Sequence, residues 1–344
     1  MHHKVWLNRL ILVSLILTLG VILLGAYTRL KDAGLGCPDW PGCYGQIAAP
    51  QTPEALLKAN AAYPEFEVDV PKAQTEMIHR YFAGTLGLLI LIIAVLAYRA
   101  RRVIALPLFL PLTLVLLVIG QALLGMFTVT LRLNPTIVLL HLLGGLSIIS
   151  LLWISWLSLR KQPYPVFTIN PLLNVFSAVA LSVVILQIFL GGWVSTNYAA
   201  LVCPDFPFCP PFVGESNTLF SWGLFKNAFP LFDISRIPDT LGFDARLAIQ
   251  SFHRLGAFLT FVCVAGLSCY LLYQSLKHVD PRSKRWLKRI AILLFALLGI
   301  QITLGITNVL ALLPISVAVL HNGVAVLLLI TLITLNFTLY HARH

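Results

Sequence analysis

His79, His141, His253 and His321 each sit inside a long apolar run of this sequence, in its outer third. An ionisable side chain at such a depth is costly and is usually kept for a function. One such histidine could be explained by a hydrogen bond between two helices. Four of them, one on every second run and at similar depth, form two symmetric pairs that packing alone explains poorly. Two imidazoles on facing helices can hold a haem iron from both sides, and four-helix bundles accommodate such cofactors in their cores. A zinc or copper ion would need more ligands than one pair supplies. Gly84, Gly87, Gly144, Gly145, Gly256 and Gly323 lie near the four histidines in the chain. They would leave room for a flat macrocycle, or simply for close helix crossings. His2, His3, His278, His341 and His344 fall in polar ends or loops and are expected only to titrate in water.

Other polar groups accompany the histidines. Arg80 and Arg254 each follow a histidine directly. A guanidinium there suits a haem propionate, because Arg binds a carboxylate with two parallel hydrogen bonds; the plainer role is snorkelling to the interface. Glu76 precedes His79 by three residues, so both face the same side of a helix, while the matching residue before His253 is Gln250. A carboxylate in one half and an amide in the other predict unequal work: reactive chemistry in the first half, a permanent cofactor in the second. Glu76 is the candidate catalytic group, able to stabilise a developing cation or to move protons. A glutamate favoured by the dipole at a helix start is the plainer reading.

Cysteines recur in the same way. Cys37-Pro38-Asp39-Trp40-Pro41-Gly42-Cys43 and Cys203-Pro204-Asp205-Phe206-Pro207-Phe208-Cys209 share their spacing and five of seven residues. The prolines and Asp suit tight turns, and disulfides persist on an oxidising side of a membrane. Two local bridges, Cys37–Cys43 and Cys203–Cys209, are the expectation. Free thiols, a more readily reduced redox bridge and a four-cysteine zinc site are the other chemistries these residues allow. Cys263 and Cys269 read as small apolar residues of a span.

These groups need elements to position them, and composition says which. Of 344 residues, 58% are hydrophobic and only 11% are charged, against roughly 25% charged in soluble domains. That excludes a soluble enzyme, a disordered chain and a nucleic-acid-binding module. Eight apolar runs are long enough to span a bilayer, at about 20 residues each: roughly 7–27, 75–98, 104–127, 136–159, 172–195, 245–273, 290–311 and 315–340. The first lacks a small-residue cleavage site and reads as a span, not a removed signal. Fourteen of the 24 Lys and Arg, but one of the 13 acids, fall in one set of short segments. By the positive-inside rule both termini are cytoplasmic and the long loops 28–74 and 196–244 face outward. The net charge of +11 is then a topology signal and suits contact with anionic lipid; no nucleic acid is needed to explain it.

The chain also reads as a duplication. The cysteine loops are offset by 166 positions. Gln121, Leu124, Gly125, Val129 and His141 recur 180 positions later as Gln301, Leu304, Gly305, Val309 and His321. The expected fold is an all-α integral membrane protein of eight transmembrane helices. They form two tandem four-helix bundles, residues 1–165 and 166–344, related by a pseudo-two-fold axis along the membrane normal and joined through the basic segment 160–171. Thr52-Pro53-Glu54 opens a further helix over 53–63, with Ala55, Leu56, Leu57, Ala59 and Ala62 giving it an apolar side to lie on the membrane. Phe220, Trp222, Phe225, Phe229 and Phe232 suit the interface as well.

Taken in order, Glu76-Met77-Ile78-His79-Arg80, His141, His253-Arg254, His321, both cysteine loops and Gly25-Ala26-Tyr27-Thr28-Arg29-Leu30 with Gly34-Leu35-Gly36-Cys37 resemble the heme A synthase family of bacteria and mitochondria. The resemblance covers essentially the whole chain. It implies oxidation of the C8 methyl of haem O to a formyl group, through two hydroxylations and loss of water, to give haem A for cytochrome oxidase. It implies that His79 and His141 hold haem O beside Glu76 in the first half, and that His253 and His321 ligate haem b in the second. It further implies an electron donor, docking of the farnesyltransferase that makes haem O, a bacterial inner membrane and an oligomeric state left open. Two other functions fit the histidines. A di-haem electron carrier would leave its haems unchanged. A proton-coupled transporter would hold no haem and would need intramembrane acids beyond Glu76; Asp244 sits only at a helix edge.

Overall fold

The computed structural model describes residues 2–104, 106–160, 171–206, 228–231, 233, 237, 240–277 and 279–342. Nine helices carry the described chain: α1 (His2–Leu30), α2 (Pro53–Ala62), α3 (Val70–Arg99), α4 (Phe109–Thr130), α5 (Pro135–Leu159), α6 (Pro171–Thr196), α7 (Phe243–Lys277), α8 (Pro281–Leu310) and α9 (Ile315–His341). All but α2 are long and apolar enough to cross a membrane, and the protein is an integral multi-pass membrane protein. In lipid only a helix satisfies every backbone group within its own segment. Several helices overrun the apolar stretch that announces them. The basic run Arg282–Arg289 forms the first turns of α8 because Asp280 caps it, accepting from the backbone N–H of Arg282 and Ser283, with Pro281 at the first helical position. Thr52 and Asp69 cap α2 and α3 in the same way, each with a proline in the first turn. Asn134 Oδ1 accepts from Thr136 and Ile137 at the start of α5.

Four helix ends repeat one motif. Ala33 N–H bonds to Thr28 O and Asp32 N–H to Arg29 O after α1, and Ala199 to Val194 and Tyr198 to Ser195 after α6. Leu133 to Thr128 and Arg132 to Val129 close α4, as Leu313 to Asn308 and Leu312 to Val309 close α8. These are Schellman ends. They turn through left-handed backbone at Asp32, Tyr198, Arg132 and Leu312, with no glycine at any of the four.

Two units make up the chain, residues 1–159 with 231–240, and 160–230 with 241–344. In the first, α1 packs on α3 and α5, and α4 packs on the same two, so the four spans close a ring in which α3 and α5 are diagonal. In the second, α7 and α9 are the diagonal pair, each flanked by α6 and α8. One end of the second ring is plugged by a buried cluster whose last members toward the histidines are Val184, Val264, Leu298 and Leu328. On α6, α8 and α9 its buried members end seven residues short of Gly191, Gly305 and His321, with the partly buried Ile188, Ile302 and Val324 packed between.

Helix α2 forms where expected. Ala59 is fully buried in a small cluster with Cys37, Cys43, Tyr44, Ala49, Ala73 and Met77, against which Tyr63 packs. Leu57 and Ala62 are exposed. Ala59 packs on the helix's own loop, where Tyr44 and Tyr63 meet edge to face at 5.6 Å beside the bridged cysteines. Of the aromatic segment, Phe220, Trp222, Phe225 and Phe232 lie outside the described residues. Phe229 stacks on Trp193 at 6.1 Å and meets Phe252 edge-on at 5.6 Å.

Candidate functional site

The diagonal helices carry the histidines: His79 on α3 with His141 on α5, and His253 on α7 with His321 on α9. Each ring rests on a glycine of a flanking helix. A methyl group placed on Gly25 would stand 3.1 Å from Cε1 of His79, and one on Gly191 would stand 3.0 Å from Cε1 of His253. Gly125 and Gly305 lie under Cε1 of His141 and His321, with corresponding distances of 3.5 and 3.2 Å. The glycines that seat the rings are therefore on α1, α4, α6 and α8, not those adjacent to the histidines in sequence. Gly84 and Gly145 border open space. Gly144 and Gly256 make room for glutamines instead: a methyl group there would be 1.8 Å from Nε2 of Gln121 and 2.2 Å from Oε1 of Gln187.

Glutamine amides meet both rings of the second unit. Gln187 Nε2 lies 3.0 Å from Nδ1 of His253, and Gln301 Nε2 lies 3.3 Å from Nε2 of His321. Nδ1 of His79, His141 and His321 is buried and makes no hydrogen bond among the described residues. Buried ring nitrogens without a partner are rare, because leaving them unsatisfied forfeits their hydration. Imidazoles so short of partners can each give one ring nitrogen to a shared metal-bound group. Among the described residues no three His, Cys, Asp or Glu side chains converge. The set is thus two imidazoles per unit, which suits an iron already held by a macrocycle and does not suit a zinc-type site.

Above the first ring, Cys37 and Cys43 are joined by a disulfide, and both are fully buried. This loop is fastened to α3 through the acid and the arginine that flank His79. Glu76, 5% exposed, accepts the Cys37 N–H at 2.9 Å on Oε2 and pairs with Arg80 through Oε1. Arg80 Nη1 donates to the carbonyls of Asp39, at 2.9 Å, of Pro41 and of Gly42. Asp39 in turn accepts from the backbone of Tyr44 and Gly45. Burial, followed by the charges of Asp69, Asp39 and Glu76, raises the Tyr44 phenol above its ordinary pKa of 10.0. Gly36 touches the main chain of α3: a methyl group there would be 2.6 Å from the Lys72 carbonyl carbon.

The second unit repeats the arginine contact. Arg254 donates to Asp205 O and Cys203 O, both at 2.7 Å. Both arginines expected at propionates therefore hold cysteine-loop carbonyls, which lie nearest once the loop folds onto the helix. Gln250 is buried, and its Oε1 has no hydrogen bond among the described residues. Cys209, and with it the expected Cys203–Cys209 bridge, lies outside the described residues.

Sequence reasoning missed the glycine seats and Gln187. A signal for the seats was present: Gly25 and Gly191 share the 166 offset of the cysteine loops, and Gly125 and Gly305 the 180 offset of His141 and His321.

Comparison with known proteins agrees with this arrangement. The profile of the COX15-CtaA family, described as cytochrome oxidase assembly protein, matches residues 8–333. A protein of Shewanella oneidensis named heme A synthase is 43% identical over 98% of this chain and 96% of its own length. Heme A synthases of Rickettsia prowazekii, 28% identical over 97% of this chain and 98% of their own, and Lysinibacillus sphaericus, 24% over 94% and 91%, are similar too. With a full-length family match and a full-length relative at that identity, the chain belongs to the COX15-CtaA family of cytochrome oxidase assembly proteins.

Proposed function

We propose that the protein is a haem A synthase, oxidising the C8 methyl of haem O to the formyl group of haem A. The observation that carries the reading is the twofold recurrence of a histidine pair across a helical ring, each ring seated on glycine, in a chain with full-length heme A synthase relatives. His79 and His141 hold the substrate, haem O. His253 and His321 would hold a resident haem b, which would supply one-electron transfer. The membrane is bacterial and inner, with both termini cytoplasmic and the cysteine loops outside. An electron donor and the farnesyltransferase that makes haem O are the partners.

The geometry favours one of the two roles open to Glu76. A carboxylate fastened at both oxygens, by Cys37 N–H and by Arg80, is a fixed negative charge, not a mobile proton carrier. Set on the same helix face as His79, it stabilises positive charge developing on the substrate. Arg80 and the bridged loop hold it there, and Arg254 holds the loop of the second unit.

Purified protein in detergent, with its haems extracted and identified by mass, tests the reading. The expected content is low-spin haem b together with haem O or haem A. The haem b signal should vanish in His253→Ala and persist in His79→Ala, which should lose conversion of added haem O. Haem b with no conversion by the wild type would make the protein a di-haem carrier, and no haem at all would sink both.

A further inference from the structure

Gln187 is matched in the first unit by a residue that cannot do what it does. It precedes Gly191, the seat of His253, by four residues, and the residue four before Gly25 is Val21. From α6 the Gln187 amide nitrogen lies 3.0 Å from Nδ1 of His253 and 3.0 Å from the His253 carbonyl. It gets there only because Gly256, three residues past His253, has no side chain. Val21 has no polar atom to offer, and Nδ1 of His79 is buried without a hydrogen bond among the described residues.

We propose that Gln187 is a positioning residue that locks His253 onto a retained haem, and that Val21 at the matching place makes His79 the releasable ligand through which substrate and product exchange. The inference rests on the haem reading above and deepens it by naming the bond that lets go. A histidine that binds a metal through one nitrogen needs its other nitrogen satisfied, and loss of that partner typically costs about 10–100-fold in affinity. A carboxamide carries both a donor and an acceptor, so it meets Nδ1 in either protonation state and fixes the ring. Valine does neither. The His79 ring is held on its Gly25 side by shape alone, at 3.1 Å. An enzyme whose product is a haem must free that haem at each turnover, whereas a resident cofactor must stay. The two units differ in that direction at this one place.

The test uses full-length protein in detergent and follows transfer of each haem to a haem-scavenging apoprotein, alongside redox titration of the low-spin haem b. In the wild type the haem of the first unit should leave faster than haem b. Gln187→Leu should release haem b about 10–100-fold faster. Gln187→Glu, which puts a carboxylate oxygen where the amide nitrogen meets Nδ1, should restore retention and lower the midpoint potential. Val21→Gln should slow loss of haem from the first unit and lower the rate of product release. Equal release from both units in the wild type overturns the proposal. So does a Gln187→Leu protein with unchanged retention and potential, or a Val21→Gln protein that releases its haem as before. If Gln187→Leu fails to fold, Val21→Gln and the wild-type rates still decide. A wild type that binds no haem, or a His253→Ala protein that keeps its haem b, defeats the underlying reading and not this inference alone.

Discussion

Replacing Gly191 by alanine, with Gly125→Ala as its control, tests whether the glycine seats set the position of the rings. The added methyl at Gly191 would lie 3.0 Å from Cε1 of His253, whereas at Gly125 it would lie 3.5 Å from Cε1 of His141. Carbon atoms rest in contact at about 3.5–4.0 Å. The Gly125 variant therefore meets an ordinary contact, and the Gly191 variant must push the ring or the helix by about 0.5 Å or more. Gln187 stops the ring from simply sliding, because it holds Nδ1 from α6 itself. Forcing a methylene into a packed site costs about 1–3 kcal/mol, which is about 5- to 150-fold in affinity for the group the ring must meet. In Gly191→Ala a gain of up to about 1 kcal/mol in helix propensity offsets part of that cost, so thermal stability is a blunt readout. Haem content and the low-spin absorption bands separate the two variants. Gly191→Ala should purify with a normal melting temperature and little haem b, and Gly125→Ala should keep both haems. Equal haem content in the two variants, or a greater loss in Gly125→Ala, would refute the idea that ring seating is set by these glycines.

Further outcomes follow from the loop that covers the first unit. In Gly36→Ala the new methyl meets main-chain atoms of Lys72 and Ala73 at 2.6–2.7 Å, which cannot rotate away. The loop must lift, and alkylation after mild reduction should find Cys37 and Cys43 faster than in wild type; an unchanged rate would count against the packing described. Arg80→Lys keeps a charge but loses the fork that reaches the carbonyls of Asp39, Pro41 and Gly42. It should cost about 2 kcal/mol and open the loop to limited proteolysis, and a protease-resistant variant would contradict the clamp. Asp280 is held below its ordinary pKa of 3.8, first by the Ser283 hydroxyl, then by the backbone N–H of Ser283. A depressed carboxyl lends stability above its unfolded pKa and loses it as pH falls through the folded one. Exchange protection at the start of α8 should therefore persist to below the usual carboxylate range, and Asp280→Asn should remove its pH dependence; fraying already near pH 5 would show the cap does not work this way.

Much of the fold was legible because lipid leaves so few choices. Eight apolar runs must be helices, and the histidines, the cysteine loops and their offsets placed the same groups in each half. Helix ends were less legible. The Schellman turns at Asp32, Tyr198, Arg132 and Leu312 use none of the glycines that usually announce them. The contacts of the arginines were not legible: position beside a histidine says that a guanidinium is near the site, but not which loop acceptors it meets. Carbonyls of a loop closed by a disulfide 39 residues upstream of Glu76, counting from Cys37, are acceptors that Arg80 meets. The seats were hidden because glycine has no chemistry of its own. Only the packing of α1 on α3 and of α6 on α7 shows that Gly25 and Gly191 face a ring.

What the units share and where they part can be sorted by distance from the imidazoles. Shared are the ring of four helices, the glycine under each histidine, the Schellman ends and an arginine that grips the cysteine loop. These fix geometry, and either unit could use them to hold a flat group between two rings. The polar differences fall beside the rings. The first unit has a carboxylate three residues before its histidine and valine where an amide could hold the ring; the second has Gln250 and Gln187 at those places. A fixed charge without a ring tether suits a site that reacts and releases. A tethered ring without a charge suits a site that keeps its cofactor neutral and in place. Exchanging the two pairs, with Val21→Gln and Glu76→Gln in one unit against Gln187→Val and Gln250→Glu in the other, should move retention toward the first unit without disturbing either helical ring, because neither pair belongs to the features that close the rings.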